Sequence, residues 1–211
     1  MMIQGHSLMD NRRPPEVSIA GGAGSIGATS TVTVTTSRTP VQNNFLFVTF
    51  GSDTARTVVT PPSGWTEVTS NPGGGGSNFM FYKVAGAGEP TSFAWVMSGS
   101  MSGGAWMILE NSRVDPTPVY VEDIANDGVL RTTHTFTTYN IAEPSVAFAT
   151  IRIQGTTTTI SIDNNFTDAT GGGFYKAAYR DYNSDAPSQV TSFTSGSRSA
   201  SRRIVVFKAA Y

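Results

Sequence analysis

The chain has 211 residues, enough to bury roughly 70% of the surface its unfolded form exposes, so it can hold a fold without a metal or a disulfide. It contains no cysteine, which excludes disulfides, cysteine-held zinc and a thiol nucleophile. A net charge of −1, with charged residues at 14% against the roughly 25% usual for soluble domains, leaves no long-range pull on nucleic acid or a membrane surface.

Residues 1–15 are polar, hold Arg12, Arg13, Pro14 and Pro15, and show no strand period. They lack the apolar stretch and small-residue cleavage site of a secretory leader. They are expected to be an arm, frayed or ordering on a neighbour, ahead of one domain at 16–211. No later run approaches the roughly 20 apolar residues that span a bilayer.

From there the hydrophobic period is two. Val17 to Ala20 reads as a strand, and Ser30 to Thr36 puts Val32 and Val34 on one face. Phe45 to Phe50 is almost continuously apolar and predicts a strand covered on both faces. Asn78 to Val84 sets Phe79 and Phe81 against Met80, Tyr82 and Val84. Phe93, Trp95 and Met97 share a face, as do Trp106 and Ile108, so Trp95 and Trp106 are expected inside, whereas Trp65 follows a turn and fits either place. Val146 to Ile153, Thr158 to Ile162 and Arg203 to Ala209 alternate likewise. Phe174 to Tyr182 is short enough for a helix, but its aromatics and flanking glycines favour a strand. Turn signals separate these runs: Pro61 to Gly64, Asn71 to Gly76, Gly86 to Pro90, Gly99 to Gly104, Asn126 to Gly128, Asp163 to Asn165 and Gly171 to Gly173. Strands about ten residues apart, rich in Thr and Val, predict a sandwich or barrel. No repeat is evident in the letters.

Several motifs suggest chemistry, and each has a plainer reading. Gly22-Ala23-Gly24-Ser25-Ile26-Gly27 spells a dinucleotide fingerprint, but the phosphate needs a helix next, and Ala28 to Thr36 reads as a strand; a glycine-rich turn is expected. Ser25 resembles a nucleophile elbow, which also needs a helix, an acid and a later histidine. Only His134 follows, in a threonine-rich segment, where a half-exposed strand position is expected. Asp181, Asn183 and Asp185 have calcium-hand spacing, but the later glycine and glutamate positions hold Ala186 and Ser192. Asp163, Asn164 and Asp168 have no recognised ligand spacing, and turn chemistry accounts for both sets. No pair of acids is marked for glycoside hydrolysis. Asn165-Phe166-Thr167 matches a glycosylation sequon, as chance allows in a chain rich in Asn and Thr.

One ordered set of segments is more specific. Pro61-Pro62-Ser63-Gly64-Trp65-Thr66-Glu67-Val68 is followed by Phe81-Tyr82-Lys83-Val84-Ala85-Gly86 and Glu89-Pro90. Then come Phe93 to Trp95, Gly103 to Trp106 and Val114-Asp115-Pro116, with a serine-rich loop and apolar strand over Ser195 to Ala210. Across residues 30–210 this resembles a β-sandwich module of tailed-phage structural proteins. It departs from the module at Glu110-Asn111-Ser112-Arg113, where the family runs directly to Gly-Val.

The resemblance implies an all-β fold, an antiparallel β-sandwich of jelly-roll or Greek-key topology, to which residues 1–15 add the expected extended N-terminal arm. It implies a virion protein made in a host cytoplasm, a capsid decoration or cement protein that forms a homotrimer and clamps the major capsid protein. The alternative is a tail-associated receptor- or glycan-binding module. Neither implies catalysis, a cofactor, a metal, nucleic acid or a membrane. Partner contact is expected at Met2, Ile3, Arg12, Arg13, Pro14 and Pro15, and at edge strands or glycine-rich loops.

Overall fold

A computed structural model describes residues 16–71, 76–154, 159–162, 166–172, 174–184, 186–189 and 191–210. Among them no helix occurs, and antiparallel sheets pack as sandwich-like layers. The first strands are β1 (Glu16–Ile26), β2 (Thr29–Thr35), β3 (Phe45–Ser52), β4 (Val58–Thr60), β5 (Thr66–Asn71), β6 (Ser77–Val84), β7 (Ser92–Met101) and β8 (Gly104–Ser112). The rest are β9 (Val114–Ile124), β10 (Arg131–Thr135), β11 (Tyr139–Ile141), β12 (Ser145–Ile153), β13 (Ser161–Ile162), β14 (Thr167–Gly172), β15 (Tyr175–Tyr182), β16 (Ala186–Gln189), β17 (Ser192–Arg198) and β18 (Ala200–Ala209).

The side-chain period decides which layer each residue enters. In β3, Leu46, Val48 and Phe50 point to one side and Phe45 and Phe47 to the other, and all are buried. The expected two-sided strand is therefore present, in the middle of the five-stranded sheet β1-β8-β3-β6-β5. On one face of that sheet lies the three-stranded sheet β2-β7-β4, across a core of Val32, Val34, Phe79, Phe81, Phe93 and Trp95. On the other face lies a second five-stranded sheet, β14-β15-β12-β18-β9, across a core that includes Phe45, Phe47, Met107, Phe148, Val205 and Phe207. A third core, with Phe136, Tyr139, Ile151, Phe193 and Ile204, joins this sheet to β10-β17-β13 and the pair β11-β16.

The order β5-β6-β3-β8-β1 is repeated as β14-β15-β12-β18-β9, and β2-β7-β4 as β10-β17-β13. The registers match as well. Phe47 lies between Tyr82 and Leu109, and Phe148 between Tyr179 and Val205. A bulge falls between Glu67 and Thr69 in β5 and between Asp168 and Thr170 in β14. Thr36 N donates to Thr91 O and Phe136 N to Thr191 O, both at 2.9 Å. The molecule is thus two copies of one sandwich, back to back. One sandwich was expected over 16–211, without a repeat; the repeat is in topology, and the two copies share the middle core.

Contacts across that core relate the copies by an approximate two-fold axis. Thr49 and Thr150 hold equivalent places, as do Asn78 and Tyr175. The Thr49 hydroxyl meets the Tyr175 hydroxyl, and Asn78 Nδ2 donates to Thr150 Oγ1 at 3.0 Å. The symmetry breaks where the second copy is bulky. A Cβ on Gly51 would lie 2.4 Å from the Tyr175 ring, and one on Gly76 would lie 2.1 Å from the Arg152 guanidinium. Glycine in one copy makes room for large side chains of the other.

Two backbone positions explain local chain direction. Gly64, at φ +80°, closes a turn in which Trp65 N donates to Pro62 O, a conformation that favours glycine. Arg113, at φ +57°, is the single residue between β8 and β9, and Glu110-Asn111-Ser112 continue β8 up to it.

Candidate functional site

The expected contact residues Met2, Ile3, Arg12, Arg13, Pro14 and Pro15 lie outside the described residues, as do Asp163, Asn164, Asn165 and Asp185. Among the described residues no group of three or more His, Asp or Glu side chains is placed to hold a metal ion.

His134 is fully buried, not half exposed. It pairs with Phe193 as Val34 pairs with Phe93, so the fold puts it where the first copy has a core valine. Its Nε2 lies 3.3 Å from Ser195 Oγ, a pair that raises the question of a nucleophile and its base. The details oppose that role. Ser195 Oγ donates to Gly196 O at 2.7 Å, so its proton faces the backbone. His134 Nδ1 has no hydrogen-bond partner among the described residues, so no acid orients the ring. Burial, then the charges of Arg202 and Arg131, depress its pKa to about 4, which keeps the ring neutral.

Four of the segments singled out in the sequence, around Trp65, Lys83, Glu89 and Phe93 to Trp95, meet at one corner. Trp65 packs edge-on against Phe93 and Trp95, with centroids at 5.1 and 5.2 Å. Lys83 Nζ lies 2.6 Å from Glu89 Oε1 and 5.9 Å from the Trp65 ring centre. Glu89 Oε2 accepts from Gly86 N at 2.8 Å. Trp65 and Glu89 are both buried, so this corner is a packing unit that fixes the β4–β5 and β6–β7 connections. Trp65, which fitted either place by sequence, is inside.

A buried polar cluster occupies one end of the middle core. Arg203 Nε lies 2.9 Å from Asp123 Oδ1, and Arg152 Nη2 donates to Asp53 O at 3.1 Å. Both guanidinium groups are fully covered, and desolvation pulls their pKa values down.

Two concavities are lined by described residues. One, of about 250 Å³, lies where the copies meet laterally and is lined by Gly21, Met107, Leu109, Thr167, Asp168 and Tyr179. Asp168 in it is bound to Lys176 at 2.6 Å. The other, of about 180 Å³, lies between the end of β1 and β2 and is lined by Ser25, Gly27, Thr29, Thr31, Thr33 and Trp106. Trp106 is half-buried against the first core, where a fully interior position was expected. Its indole lies on β1: a Cβ on Gly24 would sit 2.7 Å from its Nε1, and one on Gly22 would sit 3.1 Å from its ring. Of the run expected to be a turn, Gly22 to Ile26 lie in β1 and Gly27 lies just past it; Gly22 and Gly24 are strand residues on which an aromatic ring rests. Sequence reasoning missed this platform. Two glycines one residue apart in a strand are its signal, but the partner indole comes from a strand far along the chain.

No protein-family model, no curated protein and no solved structure matches this chain.

Proposed function

We propose that the chain is a virion structural protein: a capsid decoration protein that binds the outer shell and stabilises it by bridging neighbouring subunits of the major capsid protein. The observation that supports this reading best is the internal two-fold. It turns two outer sheets, β2-β7-β4 and β10-β17-β13, to opposite sides of one rigid body. Equivalent exposed threonines stand on each: Thr35 on one and Thr135 on the other. Such faces carry hydroxyls and few charges, so they can be covered by protein without stranding an ion. A two-sided binder that engages only the assembled shell stabilises it by mass action, and many copies add. The trimer and the arm contacts at Met2, Ile3 and Arg12 to Pro15 belong to the same proposal.

The test is mass analysis of purified virions for copy number, with residues 1–15 present and deleted. A copy number comparable to that of the shell subunit, lowered by the deletion while the domain still folds, supports the reading. A handful of copies per particle points to the tail instead. Full occupancy without the arm removes the arm contacts from the proposal.

A further inference from the structure

We propose that Trp106 and the hydroxyl-lined groove beside it form a subsite for one ring of a neutral sugar. The groove joins an aromatic face to short polar side chains: Ser25, Thr29, Thr31 and Thr33 stand around the indole. No lining residue is charged. A pyranose has an apolar face that stacks on an aromatic ring and a rim of hydroxyls that exchange hydrogen bonds, so it fits both features. An anionic ligand would find no cation here, and the volume of about 180 Å³ is below that of drug-sized sites, which suits one ring.

The repeated architecture supplies an internal control. The place of Trp106 is held in the second copy by Arg202, and those of Gly22 and Gly24 by Glu122 and Ile124. There Ile124 packs on the third core, and Arg202 Nε donates to Thr135 O at 3.1 Å. The same sandwich therefore forms without an aromatic ring and without a glycine floor at these positions. Gly22 is called for by packing on its own account, since a Cβ there would lie 2.3 Å from Thr35 O; the aromatic ring at 106 is the feature the second copy does without. Trp106 is also the only one of the three tryptophans that is not buried, since Trp65 and Trp95 are inside.

The subsite does not rest on the shell reading, because a sugar can be bound from a capsid or a tail; virion copy number is indifferent to it. The experiment titrates the full chain with the methyl pyranosides of glucose, galactose, mannose and N-acetylglucosamine. Binding is followed by tryptophan emission and by saturation-transfer NMR. At least one glycoside is expected to shift the emission in a saturable way. Trp106→Ala should weaken it about tenfold or more, as loss of a stacking face does. The double variant Thr31→Val/Thr33→Val keeps the ring, removes two hydroxyls and should also weaken binding; it carries the test if Trp106→Ala fails to fold. No response to any glycoside, or undiminished affinity in both variants, overturns the proposal.

Discussion

Phe47 and Phe148 stack face to face, with ring centroids 3.9 Å apart and planes 9° apart, and they hold the same place in the two copies of the sandwich. The internal two-fold therefore passes between two copies of one side chain. Phe45 and Phe207 close around this pair, at 4.7 Å from each other. A core shared in this way makes the two copies one cooperative unit. Phe47→Ala and Phe148→Ala should each cost about 3–5 kcal/mol. The double variant should cost less than the sum, by about 0.5–1.5 kcal/mol for the lost ring pair. Urea denaturation followed by fluorescence and by far-UV circular dichroism checks this. Coincident single transitions are expected, and two separate ones would show that the copies unfold independently.

Gly51 tests the asymmetry between the copies. Its equivalent is Arg152, yet here a Cβ would strike the Tyr175 ring, which Thr49 holds by its hydroxyl. Gly51→Ala should cost about 1–3 kcal/mol by overpacking. In a Tyr175→Ala background the same change should cost less, because the ring is gone and only the Ser77 carbonyl oxygen, 2.9 Å from the Cβ, remains in the way. Equal costs in the two backgrounds would mean that Tyr175 is not the obstruction.

These cases also show what was legible in the sequence. The strands around Phe45, Phe81, Trp95 and Val205 could be read because burial on a pleated sheet imposes a period of two on the letters. The repeat could not, because what recurs is register and polarity. Val34 is repeated as His134, Gly24 as Ile124 and Trp106 as Arg202, all within one strand order. His134 looked half exposed because histidine among threonines fits a wet face; only the pairing with Phe193 puts it inside. The groove at Trp106 was hidden for a similar reason. A glycine in a strand can mark a bulge or a ring lying on the backbone, and the choice depends on a residue on another strand.

The buried imidazole makes stability depend on pH in a known direction. His134 titrates at about 4 in the fold and near 6.5 when unfolded, so the unfolded chain takes up the proton first. Its neutral form is fully compatible with the fold above about pH 6.5, and stability is lost as pH falls from there towards 4. His134→Val installs the residue found at the equivalent place in the first copy. The variant should be the more stable protein at pH 5, while at pH 8 the difference should narrow. Asp181, whose carboxyl burial pushes up to about 6, contributes with the opposite sign over the same range in both proteins, so the difference between parent and variant is what isolates His134. Urea midpoints measured across that range check the prediction, and an unchanged slope in the variant would place the titrating group elsewhere.

Trp65 separates a packing role from a recognition role at the corner it forms with Lys83, Glu89, Phe93 and Trp95. Its ring is wedged between Phe93 and Trp95, with Lys83 above it and Glu89 holding Lys83. Trp65→Ala should therefore cost about 3–5 kcal/mol, in the range of large aromatic deletions from a core. Glu89→Gln should be destabilising by a smaller amount, about 1–3 kcal/mol, because the Lys83 ammonium then loses its counter-charge in a mostly covered site. Thermal and urea melts of the two variants give the comparison. A Trp65→Ala protein as stable as the parent would contradict the packing role and reopen this tryptophan as a contact residue. A large loss confirms that this ring belongs to the packing of the corner.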